Sequence, residues 1–256
     1  ATTSETGTTN TSIKNYIQDA YDNWENPPEY VNIMGDGSGN YTIPTWYHTH
    51  SYTGEGDHPY CQLEGDDLLG DIFMGRMTFS SISELQTVIN KVLTYEKAPY
   101  MGNTDWYNRA VIVGDPDHSG YSCVACGKCV KELMLEFPRN FWCDDNFVEI
   151  YTSPFSSRIN TAINSGVSFF AYRGWGDHSG WDSGNTNNGY MMPFMAFPTC
   201  NANDWQSGTG LAERFYLMGS TSSPNGTAKP YLATRRPSAI PANRRPACSG
   251  ATLMSI

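Results

Sequence analysis

The sequence is poor in charge. Only 16% of its 256 residues are Asp, Glu, Lys or Arg, against about 25% in an ordinary soluble domain. Basic residues are the scarcer sign: 16 Lys and Arg stand against 26 Asp and Glu, a formal net charge of -10. Such a chain has no general basic field to hold a nucleic-acid backbone or an anionic membrane surface, so neither is expected as a partner. Long apolar runs are missing too; none approaches the roughly 18–20 residues that cross a bilayer as a helix. The chain has no initiator Met and no signal peptide, opening at Ala1 in a Thr/Ser-rich stretch, ATTSETGTTNTS. We expect a fragment or mature form of a longer chain, so missing targeting signals say nothing of location. An even complement of cysteine is also lacking. With seven, at least one thiol has no disulfide partner within the chain and is a candidate nucleophile, metal ligand or buried structural thiol.

What replaces charge is uncharged polarity: 24 Gly, 16 Tyr and many Asn, Ser and Thr, a balance commoner in secreted proteins. The length suits one large domain or two small ones, with ample chain for a core. Residues 1–11 read as a flexible lead. Ile13, Tyr16, Ile17, Tyr21 and Trp24 recur at helical spacing, with Ser12 as N-cap and Pro27-Pro28 as stop. Apolar runs predict strands over 30–36 and 71–76, separated by a loop-rich stretch from 37 to 70. A helix is expected from Ser83 to Tyr95, with Leu85, Val88, Ile89, Val92 and Leu93 as its buried face. Strands are then expected at 110–115, 147–151, 166–172 and 193–197, alternating with helices at 128–136, 156–164 and 211–218. The continuous apolar run Ala110-Val111-Ile112-Val113 is that of a strand buried on both faces. This alternation predicts an α/β fold: a three-layer α/β/α sandwich around a mainly parallel sheet. We divide it into an N-terminal α/β subdomain over 12–105 and a second, site-bearing one over 106–228.

Near residue 228 the composition changes. Residues 228–256 hold no Asp or Glu, five of the 16 basic residues and Pro at 230, 237, 241 and 246. We read 229–256 as a basic, Pro-rich tail outside the core, the mark of a truncated or altered C-terminus. On that reading Phe194, Phe197 and Phe215 would be incompletely covered.

In open parallel sheets, chemistry gathers beyond the carboxyl ends of the strands. Three such ends carry reactive groups: Gly114-Asp115-Pro116-Asp117-His118, then Tyr172-Arg173-Gly174-Trp175-Gly176-Asp177-His178, then Pro198-Thr199-Cys200. Cys200 past one strand and His178 past the preceding one can meet across the sheet edge. The imidazole would lower the thiol pKa and carry a proton to a leaving amine. Gly174 and Gly176 would let backbone N–H groups approach an oxyanion. The competing reading makes Cys200 a buried structural thiol. Elsewhere, Cys123, Cys126 and Cys129, with Cys143 later, have a spacing that can hold zinc or an iron–sulfur cluster, though disulfides or free thiols suit it better. His48 and His50, with Asp57 and His58, would need a further ligand in place to bind zinc. Glu55, Asp57, Glu64, Asp66 and Asp67 offer hard oxygens to calcium.

Five stretches carry a resemblance: IKNYIQDAYDNW, EGDHPYCQLEGDDLLGDIFMGR, ELQTVINKVLTYEKAPYM with DWYNRAVIVGDPDHSG, VSFFAYRGWGDHSGW, and MPFMAFPTCNANDW. In order and spacing the chain, over roughly residues 12–228, resembles the gingipain-like cysteine peptidases of the caspase-like, clostripain-related fold group. The resemblance implies a caspase-like sandwich and a secreted or cell-surface cysteine endopeptidase acting on polypeptides. It also implies further domains in the chain and no required cofactor beyond an optional structural calcium. It makes Cys200 the nucleophile. The family's base lies in a Tyr-x-Gly-His-Gly stretch, and Trp175 holds that position here. The base role is therefore displaced to His178, with His118 as a weaker substitute, and the N–H groups of Gly176 and Cys200 are the candidate oxyanion hole. The alternative is a catalytically inactive relative that binds peptide or matrix in the same crevice.

Overall fold

The computed structural model describes residues 1–48, 54–117, 120–136, 142–174, 181, 183–199, 202, 210–228 and 232–233. The described residues divide into two compact units, one over 1–85 and one from Gln86 onward.

The N-terminal unit holds α1 (Thr3–Thr6), α2 (Asn10–Asn23), β1 (Tyr30–Met34), β2 (Trp46–His48), β3 (Gly54–Gly56) and β4 (Phe73–Met77). Helix α2 starts two residues before the expected N-cap. Thr9 Oγ1 accepts from the Ser12 N–H while Ser12 Oγ accepts from the Thr9 N–H, both at 3.1 Å. Ser12 is thus the third helical residue of a reciprocal capping box, and Thr9 is the cap. Ile13 and Ile17 on α2 pack with Ile33, Tyr60 and Ile72 into a small core. β1 and β4 pair in parallel, Tyr30 beside Phe73. The loop-rich stretch contains an antiparallel pair, β2 with β3, which sequence reading missed because three residues carry no usable period. Arg76 on β4 fixes the loops above this sheet. Its Nε and Nη2 donate to the Asp57 carboxylate at 2.6 and 2.8 Å, and its Nη1 to the carbonyls of Gly35 and Ile43 at 2.9 and 3.0 Å.

The C-terminal unit contains β5 (Ala110–Gly114), α4 (Ser122–Glu136), β6 (Phe147–Ile150), α5 (Phe155–Asn164), β7 (Phe169–Arg173), β8 (Phe194–Phe197), α6 (Leu211–Leu217) and β9 (Leu232–Ala233). Its strands form one five-stranded sheet in the order β6-β5-β7-β8-β9, parallel throughout. Every residue of β5 is buried. Val111, Val113, Phe170, Tyr172, Met195 and Phe197 face Ile159 and Ile163 of α5 and Phe215 of α6. Ala110, Ile112 and Ala171 face Val130 and Met134 of α4 on the other side. The three-layer α/β/α sandwich with a mainly parallel sheet is the fold expected.

Helix α3 (Ile82–Lys97) crosses the division between the units, which falls earlier than the boundary near 105 read from the sequence. Its buried face also differs from the apolar stripe. Thr87, Val88 and Lys91 are buried, while Ile89 and Leu93 are exposed. The reason is Lys91, whose Nζ donates to the carbonyls of Tyr216, Met218 and Asn225 at 2.5, 2.9 and 3.1 Å. A cation there meets carbonyls at the end of α6 and on the segment that follows it, which buries this face of the helix. Helix α4 starts at Ser122 rather than Lys128, because Cys123, Gly127, Val130 and Met134 form its buried stripe. Gly127 belongs to that stripe by close approach: a Cβ there would lie 2.9 Å from the Tyr151 ring.

The basic tail reaches the sheet. Leu232 and Ala233 pair with Ala196 and Phe197 as an edge strand, a contact made by main chain that needs no apolar period. Phe197 and Phe215 are fully buried, against the expectation of partial cover, because both pack around Trp181, with ring centroids 6.3 and 4.8 Å away. Phe194 is half-buried, stacked on Phe169. Among the described residues no helix is long and apolar enough to cross a membrane.

Candidate active site

Cys200, His178 and Gly176 lie outside the described residues, as do Trp175 and His118. The residues that carry them are described. β7 and β8 are hydrogen-bonded neighbours, with Ala171 beside Ala196. Just past their ends, Thr199 Oγ1 donates to the Gly174 carbonyl at 2.6 Å and accepts from the Gly174 N–H at 3.4 Å. Thr199 is buried, so this exchange is shielded from water. The residue before Cys200 is therefore tied to the residue before the 175–180 loop. The far end of that loop is anchored as well. Trp181 is buried and donates its Nε1–H to Asn160 Oδ1 on α5 at 3.0 Å, and Asn160 Oδ1 also accepts from Thr186 Oγ1 at 3.2 Å. Sequence reading gave no sign of this anchor, which depends on a residue on another helix.

The third strand end contributes Asp115. It is fully buried, its N–H donates to the Arg173 carbonyl at 2.8 Å, and its Oδ1 accepts from the Asp117 N–H at 2.9 Å. Among the described residues its Oδ2 has no partner.

Two other described thiols, Cys61 and Cys126, are poorly placed for nucleophilic work. Cys61 Sγ lies 3.6 Å from His58 Nδ1 and 3.0 Å from the His58 carbonyl, a Cys–His couple that sequence reading did not single out. Burial nevertheless pushes its thiol up, away from the thiolate. Burial does the same to Cys126, only partly opposed by the Arg173 charge. Cys126 and Cys143 are free thiols, whereas Cys129 is disulfide-bonded. Helix α4 therefore carries Cys123, Cys126 and Cys129 on consecutive turns rather than in a loop.

Among the described residues no three His, Cys, Asp or Glu groups converge as metal ligands. His48 ends β2, His50 is outside the described residues, and the Nε2 of His58 bonds the Leu68 carbonyl. Of the acidic candidates for calcium, Asp57 is committed to Arg76, and Glu64 accepts from the Tyr21 hydroxyl at 2.8 Å. Asp67 accepts from the Leu69 N–H. Each of these three carboxylates thus has a partner within the protein.

The family model for peptidase family C25 matches residues 1–245, well into the basic tail. Lys-gingipain W83 of Porphyromonas gingivalis is 28% identical over 186 residues, covering 69% of this chain and 10% of that protein. Gingipain R2 of the same organism is 23% identical over 238 residues, covering 87% of this chain and 31% of that protein. The crystal structure of the Arg specific cysteine proteinase gingipain R superposes with a TM-score of 0.71 at 22% identity, over 86% of this chain and 52% of that one. The complex of the pro- and mature domains of the Porphyromonas gingivalis protein RgpB gives 0.74 at 21%, over 89% and 55%. The chain thus spans under a third of the length of these curated relatives, and the fold they share is the caspase-like α/β sandwich.

Proposed function

The chain belongs to peptidase family C25, the gingipain-like cysteine peptidases, and we propose that it is the core of a secreted or cell-surface endopeptidase that uses Cys200 as nucleophile. The observation that carries this reading is the Thr199–Gly174 exchange, which ties together the two strand ends leading into Cys200 and into the loop with His178. In the proposed reaction the Cys200 thiolate attacks the scissile carbonyl carbon, and the carbonyl π pair moves to oxygen. The N–H groups of Gly176 and Cys200 receive that oxyanion. His178, holding the proton taken from the thiol, gives it to the leaving amine as the C–N bond breaks. Water activated by His178 then hydrolyses the thioester and restores the thiol. Calcium enters none of these steps.

The substrate is a polypeptide, and the relatives' greater length fits a chain with further domains. One sequence feature favours a second reading. Trp175 holds the family's base position, and an indole cannot accept a thiol proton, so the alternative is an inactive relative that binds peptide in the same crevice. A peptidyl acyloxymethyl ketone separates the two, because it alkylates only an activated thiol, with loss of carboxylate. Peptide mapping is expected to show one thioether adduct, at Cys200, alongside cleavage of an unfolded protein substrate. No adduct at Cys200 and no cleavage would overturn the endopeptidase.

A further inference from the structure

Arg173 is the last residue of β7. Carrying the β7–β8 register forward from Ala171 and Ala196 sets Arg173 beside Pro198, two residues ahead of Cys200 in the chain. Alternation along the strand gives the side of the sheet. Phe170 and Tyr172 face α5 and α6, while Ala171 faces α4, so Arg173 belongs to the α4 side. Cys126 on α4 senses its charge, which agrees.

Arg173 is half-buried, and among the described residues its guanidinium is almost unused. Among the described residues its one hydrogen bond runs from Nη1 to the Gly174 carbonyl at 3.3 Å, long for a charge-assisted bond. Among the described residues no carboxylate pairs with it. The other half-buried or buried cations with described partners are better satisfied. Arg76 has both arms of its fork filled, and Lys131 meets Asp144 and Glu149 at 2.8 and 2.6 Å. In a chain with 26 acidic residues, a partly desolvated cation without a carboxylate is conspicuous.

The described carboxylates nearby do not reverse the sign. Asp115 is fully buried and continues the Val111 and Val113 face, opposite Arg173. Asp117 is exposed and follows β5, which β7 separates from β8. Among the described residues, the accessible charge next to the β8 strand is therefore positive. A planar guanidinium with free donors matches a carboxylate in bidentate geometry and repels an ammonium or a second guanidinium.

We infer that Arg173 selects a substrate Asp or Glu side chain beside the scissile bond. This rests on the endopeptidase reading only in placing the scissile bond at Cys200; recognition of the acidic side chain is testable without cleavage. Two assays run in parallel. Fluorogenic peptides differing only in the residue before the scissile bond (Asp, Glu, Ala, Lys, Arg) are offered to the whole chain. The same peptides, dye-labelled and uncleavable, are titrated by anisotropy against the Cys200→Ala chain. Acidic peptides are expected to be favoured over basic ones by about 10–100-fold, the worth of a charge-assisted pair, with the preference shrinking in salt. Arg173→Ala should erase it and Arg173→Lys keep part of it, with thermal melts showing all variants folded. Best cleavage after Lys or Arg, or an acidic preference untouched in Arg173→Ala, would overturn the inference and leave the endopeptidase standing. Acidic peptides bound through Arg173 but never cleaved would uphold the inference and sink the endopeptidase. Equal binding of all peptides overturns the inference whatever the enzyme does.

Discussion

The Cys–His contact of the N-terminal unit and the Cys200–His178 pair proposed for the C-terminal unit are opposites. In the N-terminal unit, Cys61 and His58 sit on a single helical turn with Sγ 3.6 Å from Nδ1. The contact is present, yet the chemistry is wrong, because burial pushes the thiol up and its proton is directed at a carbonyl as well. In the C-terminal unit, Cys200 and His178 come from different strand ends, and what is fixed is the scaffold beneath them: Thr199 bound to Gly174 and Trp181 bound to Asn160. Proximity of sulfur and imidazole does not make a nucleophile. A thiol is activated where strand ends open to solvent and to N–H donors, and it is silenced inside a turn packed in a core.

The largest expected effect is in the nucleophiles themselves. Cys200→Ala should lower cleavage by about 10⁴-fold or more, whereas Cys61→Ala should leave the rate within about twofold, both measured on an unfolded protein substrate with melts to confirm folding. Comparable losses in the two variants would erase the distinction. The imidazoles should follow at smaller scale. His178→Ala is expected to cost about 10²–10⁴ in turnover, the range for a lost general acid–base, and His58→Ala nothing measurable. An unchanged rate in His178→Ala would pass the base role to His118 or another group.

The scaffold can be tested by a pair of hydroxyls. Thr199→Val leaves the buried Gly174 carbonyl with only the long bond from Arg173 Nη1 at 3.3 Å, and a cost of about 1–3 kcal/mol in stability is expected, together with slower cleavage. Thr42 makes a similar bond, to the Gly39 carbonyl at 2.7 Å, but in the open, where water replaces it. Thr42→Val should therefore shift stability by less than about 0.5 kcal/mol. Equal shifts in chemical denaturation would remove the argument that burial makes the strand-end bond matter.

The smallest effect is a slope with pH. Burial pushes the Lys91 ammonium down to about 7 from its ordinary 10.5. Between those values the unfolded chain holds this proton and the folded chain has released it. The group's contribution to stability therefore rises as pH climbs from about 7 toward about 10, and is least favourable below 7. Lys91→Met should flatten that slope in urea titrations taken at several pH values. Arg76 is a buried cation of the N-terminal unit that stays protonated throughout, so Arg76→Met should lower stability without changing the slope.

These residues also show what was legible in the sequence. β5 and its neighbours were plain because a strand buried on both faces must be a continuous apolar run, and Ala110–Val113 is one. The strand–helix alternation gave the layers and the parallel sheet for the same reason. The buried face of α3 was not legible. Lys91 reads as a surface residue, and only the carbonyls of Tyr216, Met218 and Asn225, more than a hundred residues away, explain its burial. The start of α4 was hidden because Gly127 counts as a breaker in sequence, although here it admits the Tyr151 ring. At the candidate site, strand order alone indicated that the loops with His178 and Cys200 leave neighbouring strands. The Thr199–Gly174 bond and the Asn160 anchor were invisible, since both depend on register between distant segments.

The account turns on Cys200 being the one activated thiol. The direct measurement is the iodoacetamide labelling rate of each cysteine against pH, read by peptide mapping. Cys200 is expected to label fastest near pH 6 and to change little above it, because its thiolate is already formed. Cys61 and Cys126, whose thiols burial pushes up, should label slowly and keep accelerating beyond pH 9. A Cys200 rate that climbs with pH alongside those two would contradict the account.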